Sequence, residues 1–155
     1  MIKILFVCLG NICRSPLAEA VFMEKVRKKG LQDALMADSA GTGHWHVGNP
    51  PDPRSIAVAE KNNIPISHIG RQFSSDDSLF DYILAMDSDN LATILEVLRA
   101  QHEGLLLMRH FDPKEKGADV PDPYYCGEDG FQNVYDILDR SCDQLIEYLL
   151  EKHNL

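Results

Sequence analysis

Cys8 and Arg14 bracket the stretch Cys8-Leu-Gly-Asn-Ile-Cys-Arg14-Ser15-Pro16, which joins an apolar run to a segment of helical period. A turn of this length can point successive backbone N–H groups inward and form a concave nest for an anion. Gly10 and Asn11 are the residue types that tolerate the positive φ angles such a curl demands. A helix beginning here adds unpaired N–H groups and about half a positive charge. Arg14, at the helix mouth, offers a planar fork matched to two oxygens of a phosphate. Together these features favour a dianion, cradled by the backbone of Leu9, Gly10, Asn11, Ile12, Cys13, Arg14 and Ser15.

Cys8 adds chemistry to binding. A free thiol titrates at about 8.5, and inward N–H dipoles, a helix N-terminus and an adjacent guanidinium all favour the thiolate. The Ser15 hydroxyl is placed to donate one more hydrogen bond. A thiolate beneath a bound phosphate is positioned for in-line attack on phosphorus, giving a thiophosphate that water then hydrolyses. The loop lacks both the GxxxxGK[ST] pattern of nucleotide-binding loops and the GxGxxG of dinucleotide folds. Taken singly, Cys8 would read as a strand cysteine and Arg14 as a surface helix residue; the combined spacing carries the functional reading.

A general acid is available in Asp122, within Val120-Pro-Asp-Pro-Tyr-Tyr125. The flanking prolines fix backbone angles and hold a side chain at a set position in a long loop. A tyrosine leaving group has a pKa of about 10, so protonating it on departure lowers the barrier. Asp122 must then keep its proton beside a phosphate dianion, which nearby negative charge favours. Pro-Asp-Pro is equally turn chemistry, and these residues alone leave both readings open. Trp45, Tyr124 and Tyr125 lie in polar loops, where they either anchor the loops or wall a slot for an aryl ring. Cys13 is near enough to Cys8 in sequence for a reversible disulfide, with loop packing as the alternative. His44 and His46 have no third ligand in the pattern, so neither a metal nor a cofactor is expected. No role is read for Cys126 or Cys142.

These residues need a scaffold, and the chain alternates short apolar runs with helix-period segments. Strands are expected at Ile2–Cys8, Leu35–Ala40, Tyr82–Met86 and Leu105–Met108. Helices are expected at Pro16–Lys29 (capped by Ser15, ended by Gly30), Arg54–Asn62, Ser88–Ala100 and Phe131–Lys152. Long loops, Gly41–Pro53 and Asp112–Gly130, lie between them. This order implies an α/β fold: a doubly wound, four-stranded parallel sheet in the order 2-1-3-4, with helices on both faces. In such folds the ligand crevice lies beyond the carboxyl ends of the strands, where the first strand ends at Cys8.

The length of 155 residues suits a single domain, and 45% hydrophobic with 25% charged residues excludes a disordered chain. No apolar run approaches the roughly 20 residues of a membrane span, and the apolar N-terminus lacks a small-residue cleavage site. With Lys+Arg at 15 against 24 Asp+Glu, the net charge of −9 argues against nucleic acid and anionic lipid as partners. Four cysteines without paired spacing suit a reducing, cytoplasmic compartment.

The stretch Val7 to Phe22, VCLGNICRSPLAEAVF, resembles the signature of the low-molecular-weight protein tyrosine phosphatases. Further similarity lies in DSAGT (Asp38 to Thr42), GNPPD (Gly48 to Asp52), ISHIGRQ (Ile66 to Gln72), FDYILAMD (Phe80 to Asp87) and DPYY (Asp122 to Tyr125), in the family's order and spacing. The resemblance implies Cys8 as nucleophile, Arg14 as phosphate clamp and Asp122 as general acid. It implies a hydrogen-bond network of Asn11, Ser39 and His68 that holds the loop, with Glu19 and Asp87 as supporting acids. Trp45 falls at a position that varies and tunes substrate preference. Implied substrates are phosphotyrosine proteins and aryl phosphates, with inorganic phosphate or vanadate as inhibitors. A thiol-dependent arsenate reductase on the same fold would need relay cysteines, and Asn63 to Leu107 contains none. A non-catalytic phosphate binder would be marked by loss of Cys8 or Asp122, and both are present.

Overall fold

A computed structural model describes residues 1–155. Its centre is β1 (Ile2–Cys8), a strand apolar on both faces, with β2 (Leu35–Gly41) on one side and β3 (Tyr82–Ala85) on the other. β4 (Leu105–Leu107) completes a parallel sheet in the order β2-β1-β3-β4. The register runs from Ile2 opposite Leu35 to Cys8 opposite Gly41, and from Ile4 opposite Tyr82 to Val7 opposite Ala85. Successive residues of a strand face opposite sides. Accordingly Ile4, Phe6 and Cys8 enter the larger core with α1 (Arg14–Lys28), α2 (Pro53–Lys61) and α4 (Glu128–His153). Leu5 and Val7 face a smaller core closed by Ile94 of α3 (Ser88–Leu98). Neighbouring strands diverge in chain order between β1 and β3, so the crevice opens where Cys8 and Met86–Asp87 end those strands.

The expected elements are present, with differences at their ends. α1 begins at Arg14 rather than Pro16, and its N-cap position is Cys13, which makes no side-chain cap bond. Ser15 is therefore inside the first turn, and its hydroxyl is drawn elsewhere. α2 starts at Pro53 behind Asp52, whose side chain accepts from the Arg54 N–H. α4 starts at Glu128, before the expected Phe131, with Gly130 inside its first turn. The 3₁₀ turns Ser75–Leu79 and Met108–Phe111 are too short for periodicity to disclose. No helix is long and apolar enough to cross a membrane.

One buried ionic cluster stands behind the site. Asp112, with a side chain 0% exposed, accepts from Arg109 Nε at 2.9 Å, Arg140 Nε at 2.8 Å and the Lys114 N–H at 2.9 Å. Arg109 Nη1 donates onward to the Asp119 carbonyl at 2.9 Å, which fixes the start of the Asp122 loop. Burial alone would raise the Asp112 pKa, but the Arg140, Lys114 and Arg109 hydrogen bonds outweigh it and hold the carboxyl well below its usual range. A depressed carboxylate contributes stability above its unfolded pKa of about 3.9 and loses it as pH falls below that value. Asp112→Ala is expected to destabilise the protein by about 3 kcal/mol at neutral pH, because it removes the buried carboxylate that Arg109 and Arg140 share. The difference from wild type should shrink below about pH 4. Urea unfolding checks this, and a change under about 0.5 kcal/mol would show the cluster to be dispensable.

Candidate active site

The loop from Cys8 to Arg14 leaves β1 and curls into α1. Its carbonyl groups are tied outward: Cys8 to the Thr42 N–H and Leu9 to the Gly43 N–H, both at 2.9 Å. The Ile12 carbonyl accepts from the Asp52 N–H at 2.8 Å and the Cys13 carbonyl from the Ser55 hydroxyl at 3.2 Å. The chain has no cis peptide, and in a trans peptide the N–H points opposite to the carbonyl. Outward carbonyls therefore aim the Leu9, Gly10, Cys13 and Arg14 N–H groups into the concavity. The N–H groups of Leu9, Gly10, Ile12 and Cys13 donate to no backbone carbonyl.

At the centre of the curl is Asn11, buried at 1% exposure with φ 57, in the left-handed region. Gly10, expected to share that conformation, does not; a Cβ there would instead meet the His46 ring at 3.0 Å. Gly41 serves the same loop from below, since a Cβ there would lie 2.8 Å from the Leu9 carbonyl oxygen. The Asn11 amide nitrogen donates to Ser15 Oγ at 2.8 Å and to Ser39 Oγ at 3.1 Å. Its carbonyl oxygen meets His68 Nε2 at 2.7 Å and accepts from the Arg71 N–H at 3.0 Å. With both amide hydrogens committed, His68 Nε2 must be the donor to Asn11, an assignment from the network itself.

Behind this shell, the Ser39 hydroxyl donates to Glu19 Oε1 at 2.7 Å, and His68 Nδ1 lies 3.3 Å from the same oxygen. Burial, with a smaller contribution from Asp38, pushes the Glu19 carboxyl up to about 7 even though Ser39 donates to it. Burial also lowers the His68 pKa. Both shifts run toward the uncharged form of each group. Glu19, Asp38 and His68 bring ligating atoms within 4.8 Å of one another. However, Arg71 Nε already donates to Asp38 at 3.1 Å, and the other groups serve the loop network.

The Cys8 sulfur, 2% exposed, accepts from the Asn11 N–H at 3.3 Å and lies 3.0 Å from Ser15 Oγ. Because Asn11 donates to Ser15, the hydroxyl hydrogen is available to the sulfur; the alternative acceptor, the Ala40 carbonyl, is longer at 3.4 Å. Arg14 Nη1 donates to Asp87 Oδ2 at 2.7 Å and to the Val120 carbonyl at 2.9 Å. Burial opposes the Arg14 charge, but Cys8 and Asp87 outweigh it and raise the guanidinium pKa. Its Nη2 faces Asp122 Oδ2 at 3.7 Å, and the other Asp122 oxygen accepts from the Tyr124 N–H at 3.1 Å. Cys8, Arg14 and Asp122 line one slot of about 210 Å³, floored by Gly10, Ile12 and Cys13 and walled by Leu9, Trp45, His46, Tyr124 and Tyr125.

The structure also brings in residues that sequence reasoning missed. Arg54 donates through Nε and Nη2 to Asp52 at 3.0 and 2.9 Å, and through Nη1 to the Cys126 carbonyl at 3.2 Å. Its guanidinium lies 4.6 Å from the Phe131 ring and 5.6 Å from the Tyr124 ring. Asp52, whose pKa the Arg54 bonds lower, holds Ile12 through its own N–H, so Arg54 links the cradle to the Asp122 loop. Asp-Pro-Arg is a helix-start signal from which Asp52 could have been found; nothing local marks Arg71. Cys13 faces the slot as a thiol, pushed up to about 12 by burial and then by Asp52. Cys142 is wholly buried in the core, which raises its pKa, while Cys126 is exposed.

A thiol beneath inward amides at a β1–α1 switch point, with a guanidinium and a carboxylate above it, defines a phosphate-handling α/β enzyme. Comparison with known proteins narrows the class. Residues 3–155 match the profile of the low molecular weight phosphotyrosine protein phosphatase family. A phosphatase of that description from Schizosaccharomyces pombe is 49% identical over 137 residues, covering 86% of this chain and 88% of the relative. The crystal structure of a protein tyrosine phosphatase from Entamoeba histolytica, with Hepes in its active site, superposes with a TM-score of 0.92 at 42% identity and covers 100% of both chains. The structure of a Drosophila arginine phosphatase superposes with a TM-score of 0.87 at 33% identity, covering 95% of this chain and 97% of that one. The chain belongs to the low molecular weight phosphotyrosine protein phosphatase family.

Asn11 makes two separable contributions, its backbone angle and its side-chain bonds. Asn11→Gly should keep the curl and lose the bonds, whereas Asn11→Ala should lose both and be about 1 kcal/mol less stable than the glycine variant. Urea unfolding of the two variants measures the difference. Equal stability would mean that the left-handed angle imposes no constraint.

Proposed function

We propose that the protein hydrolyses protein phosphotyrosine and small aryl phosphates through a cysteinyl-phosphate intermediate. The observation that carries this reading is the convergence of the Cys8 sulfur, the Arg14 guanidinium and the Asp122 carboxyl on one slot. A phosphate in the cradle accepts from the inward amides and from the Nε and Nη2 donors of Arg14, whose Nη1 stays on Asp87 and Val120. The Cys8 thiolate attacks phosphorus in line; the S–P bond forms as the bond to the aryl oxygen breaks. Asp122 gives its proton to that oxygen, so a phenol rather than a phenolate departs. Water then attacks phosphorus and passes its proton to Asp122. The S–P bond breaks, releasing inorganic phosphate and restoring the thiolate and the acid.

Trp45, Tyr124 and Tyr125 suit an aryl ring, being 64%, 38% and 96% exposed around the slot. Asn11, Ser39, His68, Glu19 and Asp87 act as positioning residues in this reading, through the bonds that hold the loop and Arg14. Cys13 is the candidate partner for a reversible disulfide with Cys8, as both thiols line the slot. Four cysteines without paired spacing support a reducing, cytoplasmic setting. No step calls for a metal or cofactor, and a net charge of −9 disfavours nucleic acid.

Parallel assays with phosphotyrosine, phosphoserine, phosphoarginine and arsenate test the reaction class, with turnover expected for phosphotyrosine and strong preference over the others. Cys8→Ser is expected to lower turnover of p-nitrophenyl phosphate by about 10³-fold or more while phosphate or vanadate still binds. Retained turnover would remove the nucleophile assignment. Asp122→Asn should slow phenyl phosphate by about 10²-fold and p-nitrophenyl phosphate by much less, because the better leaving group needs no acid. Equal losses on the two esters would contradict the acid role.

A further inference from the structure

The slot accounts for an aryl phosphate, but a protein substrate also presents the residues on either side of its phosphotyrosine. The distribution of exposed apolar side chains bears on where those residues rest. Large hydrophobic residues are exposed at ten positions, two of which, Met1 and Leu155, are chain ends. Leu9, Trp45, Tyr124 and Tyr125 account for four more, all lining the slot. Val47 and Ile69, 55% and 61% exposed, belong to two loops in direct backbone contact beside it. The Gly48 N–H donates to the Gly70 carbonyl at 2.9 Å, and the Gly70 N–H to the Asn49 carbonyl at 2.8 Å. Gly70 lies so close to the His46 carbonyl oxygen that a Cβ would come within 2.5 Å of it. His46 itself walls the slot, so Val47 and Ile69 are exposed apolar residues on the two loops that adjoin that wall. Only Leu79 and Val97 are exposed elsewhere within the chain.

The charges of this rim point the same way. Residues 41–53 and 62–70 contain no lysine or arginine. Arg71 is engaged by Asp38 and Asp77, Arg54 by Asp52, and Arg14 is buried. An acidic segment beside the phosphotyrosine would find no free cation on these loops and would meet a chain of net charge −9. An apolar segment would find exposed aliphatic side chains on the loops beside the slot.

We propose that Leu9, Trp45, Val47 and Ile69 form a docking collar for the substrate polypeptide, selecting phosphotyrosines flanked by apolar rather than acidic residues. The proposal rests on the phosphotyrosine reading above and adds a substrate class to it. Binding at the collar is made equally in the ground and transition states, so it acts on KM and leaves kcat unchanged.

The test compares phosphotyrosine peptides carrying Leu and Ile, Ser and Gly, or Glu and Asp beside the tyrosine, with p-nitrophenyl phosphate as the small substrate. Wild-type kcat/KM is expected to be about tenfold higher for the apolar peptide than for the acidic one, which corresponds to burying roughly two methylene groups. In Val47→Ser/Ile69→Ser the preference should vanish through KM, with p-nitrophenyl phosphate turnover and the urea midpoint unchanged. An unaltered peptide preference in the variant overturns the proposal, as does a wild-type preference for the acidic peptide. A shift in the monomer–dimer balance by sedimentation, without a change in selectivity, would make the collar a self-association face and also overturn it. If wild type turns over neither the peptides nor p-nitrophenyl phosphate, the phosphatase reading itself fails, and the collar proposal with it.

Discussion

The left-handed backbone of Asn11, locked by four side-chain hydrogen bonds, is the constraint on which the site depends. A non-glycine residue in that conformation costs about 1–2 kcal/mol, and it persists only where its surroundings hold it. Here the surroundings are Ser15, Ser39, His68 and the Arg71 backbone, drawn from α1, β2 and the segment before β3. The curl that results turns the loop carbonyls outward and the amides inward around the sulfur. The concavity of inward amides is thus a consequence of backbone geometry, and the side chains beneath it act by keeping that geometry.

Charge placement follows the same division between local and global. A chain of net charge −9 repels anions at long range, yet beyond about 8–10 Å such repulsion is screened by salt. Within the slot the relevant charges are amide dipoles and one buried guanidinium, acting at short range and partly out of water. The Asp122 loop is held to this centre at three points: Arg109 on Asp119, Arg14 on Val120 and Arg54 on Cys126. Each arginine donates to a backbone carbonyl, which fixes where the loop runs and leaves the Asp122 side chain free to face the slot.

The family context separates the parts of the site by task. Proteins named for tyrosine and for arginine phosphatase activity share this fold with the chain. In the proposed reaction, a cradle of backbone amides would recognise a phosphoryl group whatever bears it. The walls contributed by loops, Trp45 and His46 on one and Tyr124 and Tyr125 on another, lie where leaving group and flanking residues would be sensed. Loops on a rigid sheet can vary in this way without disturbing the strained turn beneath them.

Much of this arrangement was legible locally. Buried strands, helical periods, Pro16 and Gly30 at helix boundaries and the Cys-x5-Arg junction are short-range patterns, and the parallel order of the sheet follows from their alternation. α1 starts two residues before the position that cap chemistry predicts, because Ser15 has the chemistry of a cap but is claimed by Cys8 and Asn11. Gly10 carried the expectation of a positive φ that Asn11 alone adopts, since packing of His46 against Gly10 is a contact between distant segments. The roles of Arg54, Arg71 and the Arg109–Asp112–Arg140 cluster are not marked by local pattern, although Arg71 lies in the ISHIGRQ segment and Arg54 in a helix-start signal. An arginine's partners lie across tens of residues, and only folding brings them within hydrogen-bond reach. The residue types and their spacing determined what chemistry the chain can support; the tertiary structure decided which groups hold that chemistry in place, because positioning is a matter of contacts between segments that the chain order keeps apart.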